Sequence, residues 1–183
     1  MTSFIAVFRG LNVGGSHKVP MAELRSVLEG LGLSRVRTYI QSGNAVFGAV
    51  EDEAAVEALA QRIEAAFERA FGFRTPAALR SLGQWRAAVA ACPFTSRHDQ
   101  PQQVHVGFCR SKPDPERLAA LGSIGSGADE IVASGLEVYL HTPDGLGRSR
   151  LGNALVSRNL GTIITLRNWR TVEALEQMAP QSG

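Results

Sequence analysis

The order of apolar segments in the first half of the chain predicts a β-α-β-β-α-β unit. Short apolar runs typical of strands alternate with two segments whose apolar residues recur at helical spacing. The first of these helices starts at Pro20 and ends at Gly32, and the second covers residues 53–71. The predicted strands cover residues 4–8, 36–40, 45–47 and 74–79. This order of elements is the signature of a split-βαβ, or ferredoxin-like, fold.

The second half of the chain repeats this order. Its predicted strands cover residues 104–109, 130–133, 136–141 and 162–166, and its predicted helices cover residues 114–121 and 151–160. Each half then ends in a further helix with a tryptophan near its start. These residues, Trp85 and Trp169, both follow a Leu-Arg pair and a polar capping residue. The repeated pattern favours a packing role for both tryptophans.

The predicted fold class is therefore α+β, with two tandem ferredoxin-like (βαββαβ) units that have antiparallel sheets and are each followed by an extra helix. We expect the first unit and its helix to span residues 1–92. The second unit and the C-terminal helix are expected to span residues 102–183. Pro, Ser, His, Asp and Gln cluster in the segment that connects them, residues 93–101.

Composition indicates a globular protein. Apolar residues make up 44% of the 183 residues and charged residues 20%, which suits a packed core. The net charge is only +2, which argues against indiscriminate binding to nucleic acid. We find no signal-peptide pattern and no apolar stretch of membrane-spanning length. We therefore expect a cytoplasmic protein with no membrane partner, in which Cys92 and Cys109 are reduced thiols.

Familiar site motifs are incomplete in this chain. Gly10 and Gly15 have the spacing of a phosphate-binding P-loop, but Ser16 stands where that motif needs a lysine. Four side chains superficially resemble a zinc set: Cys92, His98, His105 and Cys109. The last two lie about 13 Å apart on one predicted strand, whereas zinc ligands lie within about 2.3 Å of the metal. We therefore predict no metal site and no cofactor.

Topology gathers one group of polar residues at an edge of the first predicted sheet. The first and second strands run the same way with the third between them, so the loop after strand one and the hairpin after strand two open at the same edge. The residues expected there are Arg9, Asn12, Gly14, Gly15, Lys18, Gln41, Ser42 and Asn44. Residues 1–22 and 30–50 contain no carboxylate, so this group suits an anion or phosphate. In the alternative, structural interpretation, the glycines only turn the chain and the Asn and Ser side chains only bond the hairpin backbone.

A second basic stretch covers residues 145–171 and contains five arginines and no acidic residue. Arg148, Ser149 and Asn153 lie at the start of its predicted helix and could form a secondary phosphate site. The alternative is an ordinary solvated helix face.

Several motifs resemble those of a known bacterial family. They are Phe8-Arg-Gly-Leu-Asn-Val-Gly-Gly15, Lys18-Val-Pro-Met21, Tyr39-Ile-Gln-Ser-Gly-Asn44, Thr165-Leu-Arg-Asn-Trp169, and Gly147-Arg-Ser149 ahead of Asn153. With these motifs, the chain resembles the family named Domain of Unknown Function 1697 over nearly its whole length. The resemblance implies a duplicated ferredoxin-like α+β fold. It brings no established activity, cofactor or catalytic residue, but its signature residues coincide with the predicted sheet edge.

Three functions remain open at this point. The first is binding of an anionic small molecule, a phosphorylated metabolite or a nucleotide, at the edge formed by loop 9–18 and hairpin 41–44. The second is binding of RNA or single-stranded nucleic acid, for which Phe8, Phe47 and Tyr39 are the candidate stacking residues. The third is an enzyme of phosphoryl or acyl chemistry, and it ranks last because no positioned general base is visible.

Overall fold

The structure of the chain is a computed structural model, and it describes residues 1–14, 18–94, 96, 100, 102–124 and 127–180. The elements of the first half are β1 (Thr2–Phe8), α1 (Met21–Glu29), β2 (Ser34–Thr38), β3 (Asn44–Ala49), α2 (Val56–Phe71), β4 (Ala77–Ser81) and α3 (Leu82–Ala90). Those of the second half are β5 (Val104–Cys109), α4 (Pro115–Gly122), β6 (Glu130–Ser134), β7 (Glu137–His141), α5 (Arg150–Ser157), β8 (Ile164–Asn168) and α6 (Trp169–Met178).

The first sheet has the strand order β2-β3-β1-β4, and β1 is antiparallel to both of its neighbours. Alternate residues of β1 point to opposite faces of the sheet. Phe4, Ala6 and Phe8 belong to a core that includes residues of α1 and α2, while Ile5 and Val7 on the other face are also fully buried. Burial of both faces explains why the segment is a continuous apolar run rather than an alternating one.

The second sheet has the equivalent order β6-β7-β5-β8 and is also antiparallel throughout. Val138 and Leu140 of β7 pack with Leu151 and Leu155 of α5 in its core. Two four-stranded antiparallel sheets with their helices confirm the predicted α+β fold and its duplication.

Several element ends differ from the predicted ones. Strand β2 ends at Thr38, two residues earlier than predicted, because Ile40 has a left-handed backbone with φ of 48°. Strand β4 begins at Ala77, directly after Pro76, which lacks a backbone donor for the ladder. The helix predicted for residues 53–71 is α-helical only from Val56, after a single 3₁₀ turn.

The extra helix after each sheet begins in the same way in both halves. The Ser81 hydroxyl accepts a hydrogen bond from the Gln84 backbone N–H (3.0 Å), and the Asn168 side-chain oxygen accepts one from the Thr171 N–H (2.9 Å). Both residues therefore act as N-caps, as the repeated sequence pattern predicts. Trp85 and Trp169 are both fully or nearly fully buried, which fits a packing role.

An arginine lies on the last strand of each sheet, just before the capping residue of the following helix; Arg80 is buried and Arg167 is partly buried. Arg80 of β4 and Arg167 of β8 each donate a hydrogen bond from Nη1 to the carbonyl of the leucine before it, at 2.8 and 2.9 Å. Burial lowers the pKa of Arg167 to about 10. Neither guanidinium group is therefore fully solvated.

The chain divides into two compact units, one formed by Met1–Ala87 with Ala174–Gly183 and the other by Ala88–Glu173. The division into domains 1–92 and 102–183 stays a prediction, since part of the connecting segment 93–101 lies outside the described residues. Within the described ranges, none of the helices is long and apolar enough to cross a membrane.

His105 lies in the central strand β5 and is buried. Burial lowers the pKa of its imidazole to about 4, against a smaller raising effect from a hydrogen bond with the Gln103 backbone. Its Nδ1 has no hydrogen-bond partner in the part of the chain that the structure describes. The ring is therefore neutral in the folded protein at neutral pH.

We predict that this histidine makes the fold less stable in weak acid. The folded-state pKa is lower than that of the unfolded chain, about 6.5, so the contribution is fully present above that pH and is lost as pH falls toward 4. Between pH 7 and pH 5 the free energy of unfolding should fall by about 2 kcal/mol from this group alone. Urea unfolding at both pH values should show a correspondingly smaller decline for His105→Gln. An NMR titration that placed the ring pKa near its ordinary value would contradict the prediction.

Candidate functional site

The loop after β1 and the hairpin after β2 lie side by side at one edge of the first sheet. The Phe8 backbone N–H donates to the Gly43 carbonyl (2.9 Å), and the Arg9 N–H donates to the Pro76 carbonyl (2.8 Å). The first bond lies at the last residue of β1, on the β3 side, and the second continues the ladder with β4 one residue beyond it. We call residues 9–14, 18–20 and 39–44 the β1 edge.

Asn12 joins the two segments of the β1 edge. Its side-chain Nδ2 donates to the Gln41 carbonyl (2.7 Å) and to the Val19 carbonyl (3.0 Å), and its Oδ1 accepts from the Val19 N–H (2.7 Å). The backbone of Asn12 is left-handed, with φ of 55°, a conformation that asparagine adopts more readily than most residues. Asn12 therefore closes the loop on itself and attaches it to the hairpin.

Side-chain hydrogen bonds of Asn44 and Ser42 hold the hairpin together. The fully buried Asn44 side chain donates from Nδ2 to the Tyr39 carbonyl (2.9 Å) and to the Ser42 hydroxyl (3.1 Å). Gly43 between them has φ of 79°, and a Cβ there would lie 2.6 Å from Cδ1 of Leu11. The hairpin thus needs glycine at this position both for its backbone conformation and for the packing of Leu11.

The charged residues of the β1 edge are exposed. Arg9 and Lys18 both have exposed side chains, as does Gln41. The Arg9 carbonyl accepts a hydrogen bond from the Thr75 hydroxyl (2.7 Å), which fixes the backbone at the point where the loop leaves the sheet. Gly14 is left-handed with φ of 70°, and Gly15 lies outside the described residues.

Two apolar residues of the β1 edge were not among the predicted site residues. Val13 is 60% exposed and Ile40 is 50% exposed. Ile40 also has a left-handed backbone, which is unfavourable for a β-branched residue. In the sequence, each of these residues lies beside a motif residue, Asn12 or Gln41, and this position could have identified them. A single apolar residue at such a place is, however, more readily interpreted as part of a strand.

The second sheet has the same edge without the same loop. The Cys109 N–H donates to the Leu136 carbonyl and the Arg110 N–H donates to the Ile163 carbonyl, which repeats the two backbone bonds at the end of β1. The connection that follows β5 covers only residues 110–114, whereas the connection after β1 covers residues 9–20. The fold can therefore be closed by a much shorter loop than the one at the β1 edge.

The predicted secondary site at the start of α5 is organised as a helix cap. The Ser149 hydroxyl accepts from the Gly152 N–H (2.7 Å) and donates to the Asp129 carboxylate (2.8 Å), and Asn153 donates from Nδ2 to the Ser149 carbonyl (2.8 Å). Arg148 is exposed. The Asp129 carboxylate thus lies beside the start of α5, where its negative charge disfavours a bound phosphate.

No group of three or more His, Cys, Asp or Glu side chains within the described ranges could hold a metal ion. Cys92 and Cys109 are both buried and form no disulfide with each other, and burial raises the pKa of Cys92. His98, which belonged to the superficial zinc set, lies outside the described residues.

The motifs that form the β1 edge also identify the family. A family model described as "Protein of unknown function (DUF1697)" matches residues 1–139. The chain belongs to the Domain of Unknown Function 1697 family. The matched range includes the whole of the first sheet, and the motifs at 147–149 and 165–169 lie beyond it.

Among solved structures, similarity to this member of the Domain of Unknown Function 1697 family extends over almost its full length in the following case. It is a conserved bacterial protein from Streptococcus pneumoniae, 26% identical, and the similarity covers 97% of this chain and 98% of that chain with a TM-score of 0.78. No curated protein matches the chain.

We predict that Asn12 stabilises the β1 edge. Asn12→Gly keeps the left-handed backbone accessible but removes three hydrogen bonds, so the free energy of unfolding should fall by about 2–3 kcal/mol. Chemical denaturation measures the change. The matched control is Gln41→Ala, because Asn12 bonds only the backbone of Gln41, whose side chain is exposed. The control should change stability by less than about 0.5 kcal/mol. Equal losses in the two variants would contradict the prediction.

Proposed function

We propose that this protein binds an anionic small molecule at the β1 edge. The observation that carries the proposal is the length of the loop after β1. The equivalent connection in the second unit closes the same fold with residues 110–114, so the additional residues between Phe8 and Met21 are not needed for the fold. Long surface loops on a rigid scaffold commonly carry binding residues.

The charges of the β1 edge support an anion as the ligand. Arg9 and Lys18 are exposed, and neither segment of the edge contains a carboxylate. Lys18 makes no ion pair with any residue that the structure describes. Hydrogen bonds from cations to phosphate oxygens are stronger than neutral ones, and arginine and lysine are both common phosphate ligands.

The exposed apolar residues support a ligand with an apolar or aromatic part. Val13 directly follows Asn12, and Ile40 directly precedes Gln41. Because Asn12 donates a hydrogen bond to the Gln41 carbonyl, the backbones of Val13 and Ile40 both lie close to this bond. A simple inorganic anion would gain nothing from them, whereas a nucleobase could cover both. We therefore favour a nucleotide over a small phosphorylated acid or sugar.

Burial of the candidate stacking residues argues against an RNA-reading sheet face. Phe8 and Phe47 are fully buried in the core of the first unit, and only Tyr39 is partly accessible. RNA-binding sheets of this kind present two or three exposed aromatic side chains for base stacking. Binding at the β1 edge is also preferred over the secondary site, where Asp129 already interacts with Ser149.

The chain offers a matched pair of lysines for the test. Lys18 lies in the long loop after β1, and Lys112 is exposed in the short equivalent loop after β5. Nucleoside monophosphates should raise the melting temperature of the parent protein. Lys18→Ala should weaken their binding by about tenfold to a hundredfold, the loss expected for one charge-assisted hydrogen bond. Lys112→Ala should bind as the parent does. The proposal fails if no nucleotide stabilises the parent, or if the two variants lose the same affinity.

Ile40→Asn tests the apolar part of the site. Relief of the left-handed strain should gain about 1–2 kcal/mol, and loss of a half-buried isoleucine should cost about the same, so the free energy of unfolding should change little. Calorimetric titration should show weaker binding of nucleoside monophosphate, with binding of ribose 5-phosphate unchanged. Equal weakening for both probes would mean that Ile40 acts through the shape of the loop and not by contact with a base.

A further inference from the structure

The edge strand β6 of the second sheet is open to pairing with another strand. β6 pairs with β7 on one side, and within the described ranges no strand pairs with it on the other. Four of its five residues are exposed, including Val132, which is 42% exposed. It contains no proline and no lysine or arginine, the features that commonly protect edge strands from association.

The first sheet protects its equivalent edge. β2 occupies the same place in the fold, and its pairing with β3 is interrupted by an irregularity between Ser34 and Arg37. Arg35 at that point has a left-handed backbone with φ of 51°, and Arg35 and Arg37 are both exposed. A bulge and two cations are recognised obstacles to strand addition. The duplicated fold therefore does not require an open edge at β6.

The hydrogen bonds of the second sheet define which residues of β6 point outward. The Cys109 N–H donates to the Leu136 carbonyl and the Thr142 N–H donates to the Gln103 carbonyl. The backbone N–H and C=O groups of even-numbered residues of β7 therefore point toward β5. The backbone groups of odd-numbered residues of β7 therefore point toward β6. They form hydrogen bonds with the backbone groups of even-numbered residues of β6. The backbone N–H and C=O groups of Ile131 and Ala133 are left facing away from the sheet.

We propose that β6 pairs antiparallel with β6 of a second copy of this chain, about a two-fold axis through Val132. In this register Ile131 lies opposite Ala133 of the other copy, and the reverse pair follows by symmetry. Both are the outward-facing residues, so the two copies would exchange four backbone hydrogen bonds. The two strands would join the sheets into one that continues from copy to copy.

The side chains of β6 suit pairing with itself. Glu130 would lie opposite Ser134, so no like charges face each other. The two Val132 side chains would meet at the axis in a non-hydrogen-bonded pair, where opposite Cα atoms approach most closely. This contact would cover apolar surface that is exposed in the single chain. An unrelated partner strand would gain the backbone bonds but not this symmetric match.

Sedimentation velocity across loading concentrations from about 5 to 500 µM, a range suited to a small interface, tests the proposal. The parent should show a reversible monomer–dimer equilibrium. Val132→Lys should raise the dimer dissociation constant by about tenfold or more, because two ammonium groups would meet at the axis. Val156→Lys is the matched control, since Val156 is similarly exposed, at 38%, but lies on helix α5 and not on β6, and this variant should dimerise as the parent does.

A second variant and a second measurement keep the outcome clear. Ala133→Pro removes an outward N–H and should weaken the dimer by about tenfold to a hundredfold while the monomer stays folded, since proline is tolerated at outward positions of edge strands. Amide exchange at Ile131 and Ala133 should slow as concentration rises. A parent that stays monomeric throughout, a dimer that Val132→Lys leaves intact, or exchange at these amides that ignores concentration would each overturn the proposal.

Discussion

The central strand of each sheet determines where everything else lies. β1 is antiparallel to β3 on one side and to β4 on the other, and the N–H groups of Phe8 and Arg9 bond the backbone on both sides where the strand ends. The loop that follows therefore leaves the sheet at a fixed point, between two other backbone segments. Because every main-chain polar group in so buried a strand needs a partner, this exit point cannot shift without breaking a ladder. The geometry of the β1 edge follows from this constraint.

Comparison of the two duplicated units distinguishes features that the fold requires from features that it does not require. The bonds at the ends of β1 and β5 are equivalent, as are the caps at Ser81 and Asn168. A feature that is present in only one of two units with the same fold cannot be required by that fold. The long loop belongs to the first unit alone, and the unprotected edge strand belongs to the second. The two units thus share one scaffold and differ at their borders, which is where binding and association occur on most folds.

The sequence predicts the elements and their order because both depend on local apolar periodicity, and the strand order then follows from the split-βαβ topology. It fails where long-range bonds decide the backbone. Ile40 reads as the end of a strand, yet its left-handed conformation belongs to a hairpin that is held by Asn12 and Asn44. It fails likewise at Arg80 and Arg167, since a periodic pattern treats arginine as a surface residue, whereas Arg80 is buried and Arg167 is partly buried. Among the predicted site residues, the sequence could not distinguish amides that bond the backbone from side chains that remain exposed.

The β1 edge combines amide side chains that bond the backbone with other side chains that remain exposed. Binding is weakened by the cost of ordering exposed side chains and the loops that carry them. Asn12 bonds the backbone on both sides of the loop, at Val19 and at Gln41, so the residues next to these points have little backbone freedom. Lys18 directly precedes Val19, and Ile40 directly precedes Gln41. Each of these side chains is one residue from a bonded backbone group, which would lower the cost of ordering it if the proposed ligand binds there.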